Sequence, residues 1–148
     1  MKYILDTNVY LFAINSEAGA AFFTRRFFPL IFRTHIASVV IEELYAGALD
    51  TQAVRLVERY VRALERTKRI VTPTFQDWKD AGKLVAQLAR KEPGRKSKVQ
   101  QMLNDILIAL CARQIGATIS TFNREDFALI RRYKPFSLET LYYPESNR

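Results

Sequence analysis

Cysteine and histidine are almost missing from this chain of 148 residues; each occurs once, as Cys111 and His35. One cysteine cannot close an internal disulfide, so the fold must rest on its core, and nothing points to an oxidising compartment. With one of each, a structural zinc site is practically excluded, and His35 reads as a strand residue rather than a ligand. Glycine is scarce as well, five in all. These form neither the GxGxxG turn of a dinucleotide site nor the turn ending in Gly-Lys of a P-loop. No apolar run approaches the roughly 20 residues that a bilayer crossing requires. Asp6 falls too early to leave room for the apolar stretch of a signal peptide. A cytoplasmic protein without a membrane partner is therefore expected.

What is present is a globular composition with a basic excess. Hydrophobic residues make up 49% and charged residues 26% of the chain, enough for one continuous core. Residues 1–148 read as a single domain, with residues 139–148 as a loose tail. Lys and Arg number 23 against 15 Asp and Glu, a net charge of +8. Such a balance favours an anionic partner such as nucleic acid, an acidic protein or a membrane surface, with a well-solvated basic surface as the alternative.

Short apolar runs alternate with longer helical ones. Tyr3-Ile4-Leu5 reads as a buried strand, and Asp6-Thr7 can cap the helix that follows. Phe22, Phe23, Phe27 and Phe28 form an aromatic cluster expected in the core. His35-Ile36-Ala37 is a second strand, with Ser38 as cap of a helix over residues 39–48. In the helix over residues 51–68, Val54, Val57, Val61 and Leu64 share one face. Arg55, Arg59, Arg62, Arg66 and Arg69 share the opposite one. That arginine stripe is either a solvated face or a contact for RNA or a partner. Ile70-Val71 is a minimal third strand, and Thr74 caps a helix over residues 75–90. A basic loop with Pro93-Gly94, Arg95, Lys96 and Lys98 comes next. The helix over residues 103–113 is apolar nearly all round, hence buried, with Gly116 as its C-cap. Residues 117–120 form a fourth strand, a helix opens near Asp126, and Phe136-Ser137-Leu138 is a final edge strand. The alternation predicts an α/β fold: a mainly parallel sheet of four to five strands with helices on both faces.

Four acids stand out against this frame. A parallel α/β sheet places ligands beyond the carboxyl ends of its strands. Asp6 directly follows strand one, and Asp126 follows strand four by a short loop. Glu43 lies one turn into the helix after strand two. Asp105 interrupts an otherwise apolar helix, where a carboxylate is costly unless neutralised, paired or bound to metal. Carboxylates converging on one sheet end repel, so such a cluster calls for a cation, and oxygen ligands select Mg²⁺ or Mn²⁺. A phosphatase of the haloacid-dehalogenase type needs a second acid two residues after Asp6, but that position is Asn8.

The segments Leu5-Asp6-Thr7-Asn8, Glu43-Leu44-Tyr45-Ala46-Gly47, Asn104-Asp105-Ile106-Leu107-Ile108-Ala109 and Thr121-Phe122-Asn123-Arg124-Glu125-Asp126-Phe127 resemble the four acidic motifs of PIN domains. Their order and approximate spacing match, over almost the whole chain. Within that family the chain resembles the VapC-type toxins of type II toxin–antitoxin pairs. The resemblance implies a PIN-like fold and an endoribonuclease that hydrolyses RNA phosphodiester bonds. Asp6, Glu43, Asp105 and Asp126 would be its catalytic and metal-binding residues. Asn8, Thr121 and Asn123 would support the site. It also implies a homodimer and an inhibitory antitoxin. Glu43 and Asp126 are chosen over their neighbours Glu42 and Glu125 by the motif. Whether Glu43 ligates or acts as general base, and whether one metal or two bind, stays open. RNA contacts are expected from Arg55, Arg59, Arg62 and Arg66, and from Arg95, Lys96 and Lys98 of the basic loop. A housekeeping nuclease without antitoxin and a non-catalytic nucleic-acid-binding module are the competing readings.

Overall fold

In the computed structural model, which describes residues 1–145 apart from the side chains of Arg95, Lys96, Ser97 and Gln100, the apolar runs form five strands. These are β1 (Tyr3–Leu5), β2 (Thr34–Ala37), β3 (Ile70–Val71), β4 (Thr118–Thr121) and β5 (Ser137–Thr140), in the sheet order β3-β2-β1-β4-β5. Every adjacent pair is parallel, and Tyr3 registers against Thr34 on one side and Thr118 on the other. From β1 the chain winds outward through β2 and β3, then returns to add β4 and β5 on the opposite side. The order therefore reverses beside β1, where α/β sheets open a crevice at their carboxyl ends.

Among the described residues, eight α-helices flank the sheet: α1 (Thr7–Asn15), α2 (Glu17–Arg26), α3 (Ser38–Gly47), α4 (Thr51–Arg66), α5 (Phe75–Lys91), α6 (Lys96–Val99), α7 (Leu103–Ile115) and α8 (Arg124–Tyr133). α1 packs on α2, α3 and α4, while α7 packs on α5 and α8. Ile106 to Ala112 on α7 are all buried, as a helix apolar on every side must be. Gly116 ends α7 at φ +65, the left-handed position that favours glycine. Thr74 and Asp77 close a capping box on α5. Among the described residues, no helix is long and apolar enough to cross a membrane.

Several local expectations are corrected. Ser38 is the first residue of α3 rather than its cap, because β2 runs into the helix with no linker; Ala37 occupies the cap position and gives no side-chain bond. Phe27 is buried, but Phe28 begins a 3₁₀ turn with Pro29 and faces solvent. α4 ends at Arg66, so Arg69 leaves the arginine stripe. Its guanidinium donates instead to the carbonyls of Ile31 and Thr34. The tail expectation is corrected at residues 139–141 and at Tyr143: Glu139 and Thr140 belong to β5, Leu141 is buried, and the Tyr143 ring stacks on Phe122 with centroids 3.9 Å apart. Residues 146–148 of that expected tail lie outside the described residues.

Gly19 sets the close approach of α2 to α1. A Cβ there would stand 1.8 Å from the Phe12 carbonyl oxygen, so backbone would have to move. Gly19→Ala is expected to lower stability by about 1–3 kcal/mol. A denaturant melt with an unchanged midpoint would contradict this packing.

Candidate active site

β1 and β4 lie side by side, and their carboxyl ends deliver the first two groups. Asp6 follows β1 and is the N-cap of α1; its Oδ1 accepts from the Thr7 backbone N–H at 2.8 Å. Its Oδ2 accepts from Thr121 Oγ1, the last residue of β4, at 2.7 Å. Only 4% of Asp6 is exposed. Thr121 Oγ1 in turn accepts from the Asn123 backbone N–H at 2.8 Å. Asn123 caps α8 and donates from Nδ2 to Asp126 Oδ2 at 3.0 Å. On the other side, Thr7 Oγ1 donates to Glu43 Oε1 at 2.7 Å. One chain of hydrogen bonds thus runs from Glu43 on α3 through Thr7, Asp6, Thr121 and Asn123 to Asp126 on α8.

Asp105, in the first turn of α7, completes the group electrostatically. No described side chain or backbone N–H donates to it. Burial, then the charges of Asp6, Asp126 and Glu43 in that order, push its carboxyl from 3.8 up to about 8. Asp6 is raised to about 6, chiefly by burial. The hydrogen bonds from Thr121 and Thr7 oppose the rise, and the charges of Glu43 and Asp126 add to it. Among the described residues, no lysine or arginine figures among the charges acting on either group. The structure therefore brings Asp6, Glu43, Asp105 and Asp126 into one mutually repelling set.

The supporting positions divide. Thr121 and Asn123 stand within the network. Asn8 does not: its Oδ1 is buried and has no hydrogen-bond partner among the described residues. Thr7, which the sequence marks only as part of a cap, is a further member. Its bond to Glu43 spans 36 positions, and the sole local signal is a hydroxyl next to Asp6. Adjacent helical residues point about 100° apart, and accordingly Glu43 turns to Thr7 while Glu42 is exposed. Arg55, Arg59, Arg62 and Arg66 are exposed on α4, and Lys98 is exposed on α6. The side chains of Arg95 and Lys96 lie outside the described residues.

Among the described residues, no three of His, Cys, Asp and Glu stand close enough to hold one ion between them. The donor chemistry nevertheless fits a hard divalent cation. The ligands on offer are oxygens, the Asn8 oxygen is unpartnered, and Asp6 and Asp105 carry charge that burial penalises. Mg²⁺ sheds its waters reluctantly and is usually held by one or two carboxylates with water in between, which suits a set wider than a tight chelate.

The family model described as the PIN domain matches residues 3–133. Comparison with curated proteins gives no match. Among solved structures, the chain is similar to one from Salmonella typhimurium, in a crystal structure of DNA-bound VapBC. That chain is 26% identical, with 95% of this chain and 98% of that one covered and a TM-score of 0.57. It is also similar to a chain of VapBC-1 from nontypeable Haemophilus influenzae, at 25% identity, 95% and 98% coverage and a TM-score of 0.51. A chain of VapBC2 from Rickettsia felis, bound to a promoter DNA fragment, is 24% identical over 96% and 100% with a TM-score of 0.59, and shares the fold.

Proposed function

This chain belongs to the PIN-domain family, and from that premise we propose that it is a metal-dependent endoribonuclease, the toxin of a toxin–antitoxin pair. The observation that carries the reading is the four-acid set of Asp6 after β1, Glu43 on α3, Asp105 on α7 and Asp126 on α8, with Asp105 raised by burial first and then by its three acidic neighbours. Asp6, Glu43, Asp105 and Asp126 would hold Mg²⁺ or Mn²⁺. The bound ion would lower the pKa of a water and stabilise charge on the phosphate.

The chain's own residues set the geometry. Thr7 N–H and Thr121 Oγ1 each donate to one oxygen of Asp6 and so orient its carboxylate. Thr7 Oγ1 holds one oxygen of Glu43 and leaves the other for a ligand or for a water's proton. Asn123 orients Asp126. The test is incubation of bulk RNA with the purified chain. Cleavage is expected with Mn²⁺ or Mg²⁺ and not in EDTA. Equal activity in EDTA, or none with either ion, overturns the reading.

The partners proposed are RNA, a second copy of the chain and an antitoxin, all in the cytoplasm. The antitoxin is supported by the similarity to chains of VapBC structures. Growth arrest on expression should be relieved by a neighbouring short open reading frame; unaffected growth would favour a housekeeping nuclease. The exposed arginines on α4 are assigned to the RNA backbone. Arg55→Ala with Arg59→Ala is expected to reduce the slope of log K against log salt by about 1.4, at about 0.7 per lost contact. An unchanged slope would return these arginines to a solvated face.

A further inference from the structure

α3 and α7, which carry Glu43 and Asp105, also line a cavity of about 250 Å³ that the proposed hydrolysis does not use. Val39, Pro73 and Leu107 give it apolar walls, Trp78 forms one side, and Glu42 and Asn104 bring polar groups. Two of its lining residues are sequence neighbours of the acidic set: Glu42 precedes Glu43 on α3, and Asn104 precedes Asp105 on α7. The same two helical turns therefore serve both places. Trp78 is 53% exposed, an unusual state for an indole with an apolar cavity at its side.

We propose that this cavity is a nucleobase subsite, in which Trp78 stacks on a base of the RNA whose phosphate lies at the carboxylates. The inference rests on the nuclease reading and extends it to how substrate is positioned. Sequence-specific RNA recognition works on unpaired bases, stacked on aromatic rings and hydrogen-bonded along their edges. The cavity offers both elements. Its volume suits one planar ring rather than a peptide helix, whose groove must receive several turns. Glu42 repels phosphate but accepts from N–H groups, so the base end of a nucleotide is the end admitted. Asn104 offers a donor and an acceptor together, and no described residue takes its side-chain hydrogen bonds. A base carrying ring N–H or amino donors on its pairing edge fits this pair of groups.

Trp78 is the single tryptophan of the chain, so its emission reports on this cavity alone. The experiment titrates the full chain in EDTA at low salt with a mixed-sequence hexaribonucleotide, then with an abasic hexamer of the same charge. A saturable emission change with the base-bearing hexamer and none with the abasic one is the expected result. Equal changes with both, or no change with either, overturn the subsite. Emission that shifts with protein concentration alone places a second copy over the cavity and overturns it too. In parallel, Trp78→Ala is expected to raise KM for RNA cleavage roughly ten-fold with little loss of kcat, and Trp78→Phe to recover most of it. An unchanged KM in Trp78→Ala overturns the proposal while metal-dependent cleavage stands. Base-dependent emission changes in a chain that cleaves nothing would do the opposite, removing the nuclease and keeping the subsite.

Discussion

Asp105→Asn is expected to abolish metal-dependent RNA cleavage and, at the same time, to make the metal-free protein more stable. Both effects have one source. Asp105 sits in the first turn of a buried helix, accepts no hydrogen bond from a described residue, and faces Asp6, Asp126 and Glu43. Its carboxyl rises from 3.8 to about 8, which at about 1.36 kcal/mol per unit bounds the cost of ionising it in the fold at roughly 6 kcal/mol. Repulsion is shared among four groups, so removing one charge should return a few kcal/mol. For a chain of this size that is a rise of roughly 5–10 °C in Tm in EDTA at pH 8. Cleavage should fall roughly 100-fold or more, because the charge that repels its neighbours is the charge that would hold the ion. Asp6→Asn should lose as much activity but gain less stability. Its carboxylate already accepts from Thr7 and Thr121, and an amide keeps only part of that. Cleavage at the parent rate in Asp105→Asn would remove the acid from the mechanism. A lower Tm in EDTA would refute the electrostatic account.

The second large effect is on stability against pH. In the folded protein Asp6 and Asp105 hold protons that the unfolded chain releases near 3.8. Between that value and the raised ones the unfolded state binds fewer protons, so the metal-free fold loses stability as pH rises. The stabilising share is fully present below about pH 4. It declines through about 6 for Asp6 and about 8 for Asp105, then levels off. Saturating Mn²⁺ competes with those protons and should restore the stability. The Tm shift caused by Mn²⁺ should therefore be small at pH 5 and largest near pH 8.5. Thermal melts in EDTA and in Mn²⁺ across that range measure it, and Asp105→Asn should flatten both curves. A Mn²⁺ shift independent of pH would show that the ion binds somewhere other than among these acids.

The parts of this architecture visible in the linear chain are those written by nearest neighbours. Gly116 after an apolar helix, the Thr74–Asp77 box and the strand of Tyr3–Leu5 are local chemistry, and each stands where the pattern places it. Asp6 is distinguishable because it ends a strand and Asp105 because it breaks an apolar face, whereas Glu43 and Asp126 are picked out from their acidic neighbours by the motif alone. What the chain hides is longer in reach. The Thr7 hydroxyl finds Glu43 only once α1 and α3 pack together. Arg69 continues the arginine spacing, but the helix stops three residues earlier and turns its guanidinium onto the carbonyls of Ile31 and Thr34. Gly19 looks like any weak helical residue until the Phe12 carbonyl fills the space its Cβ would need. The aromatic end of the chain reads as loose because its partner, Phe122, lies 21 positions upstream.

That pairing bears on how the protein is handled. Leu141 N–H donates to the Thr121 carbonyl at 2.8 Å, and Tyr143 stacks on Phe122, between Thr121 and Asn123. An affinity tag or fluorescent fusion attached after Tyr143 would tug on the loop that orients Asp126. One attached ahead of Tyr3 would leave from the amino end of the central strand β1, at the other end of that strand from Asp6. Purification handles and surface immobilisation therefore belong at the amino end, where they leave the catalytic loop under no mechanical load.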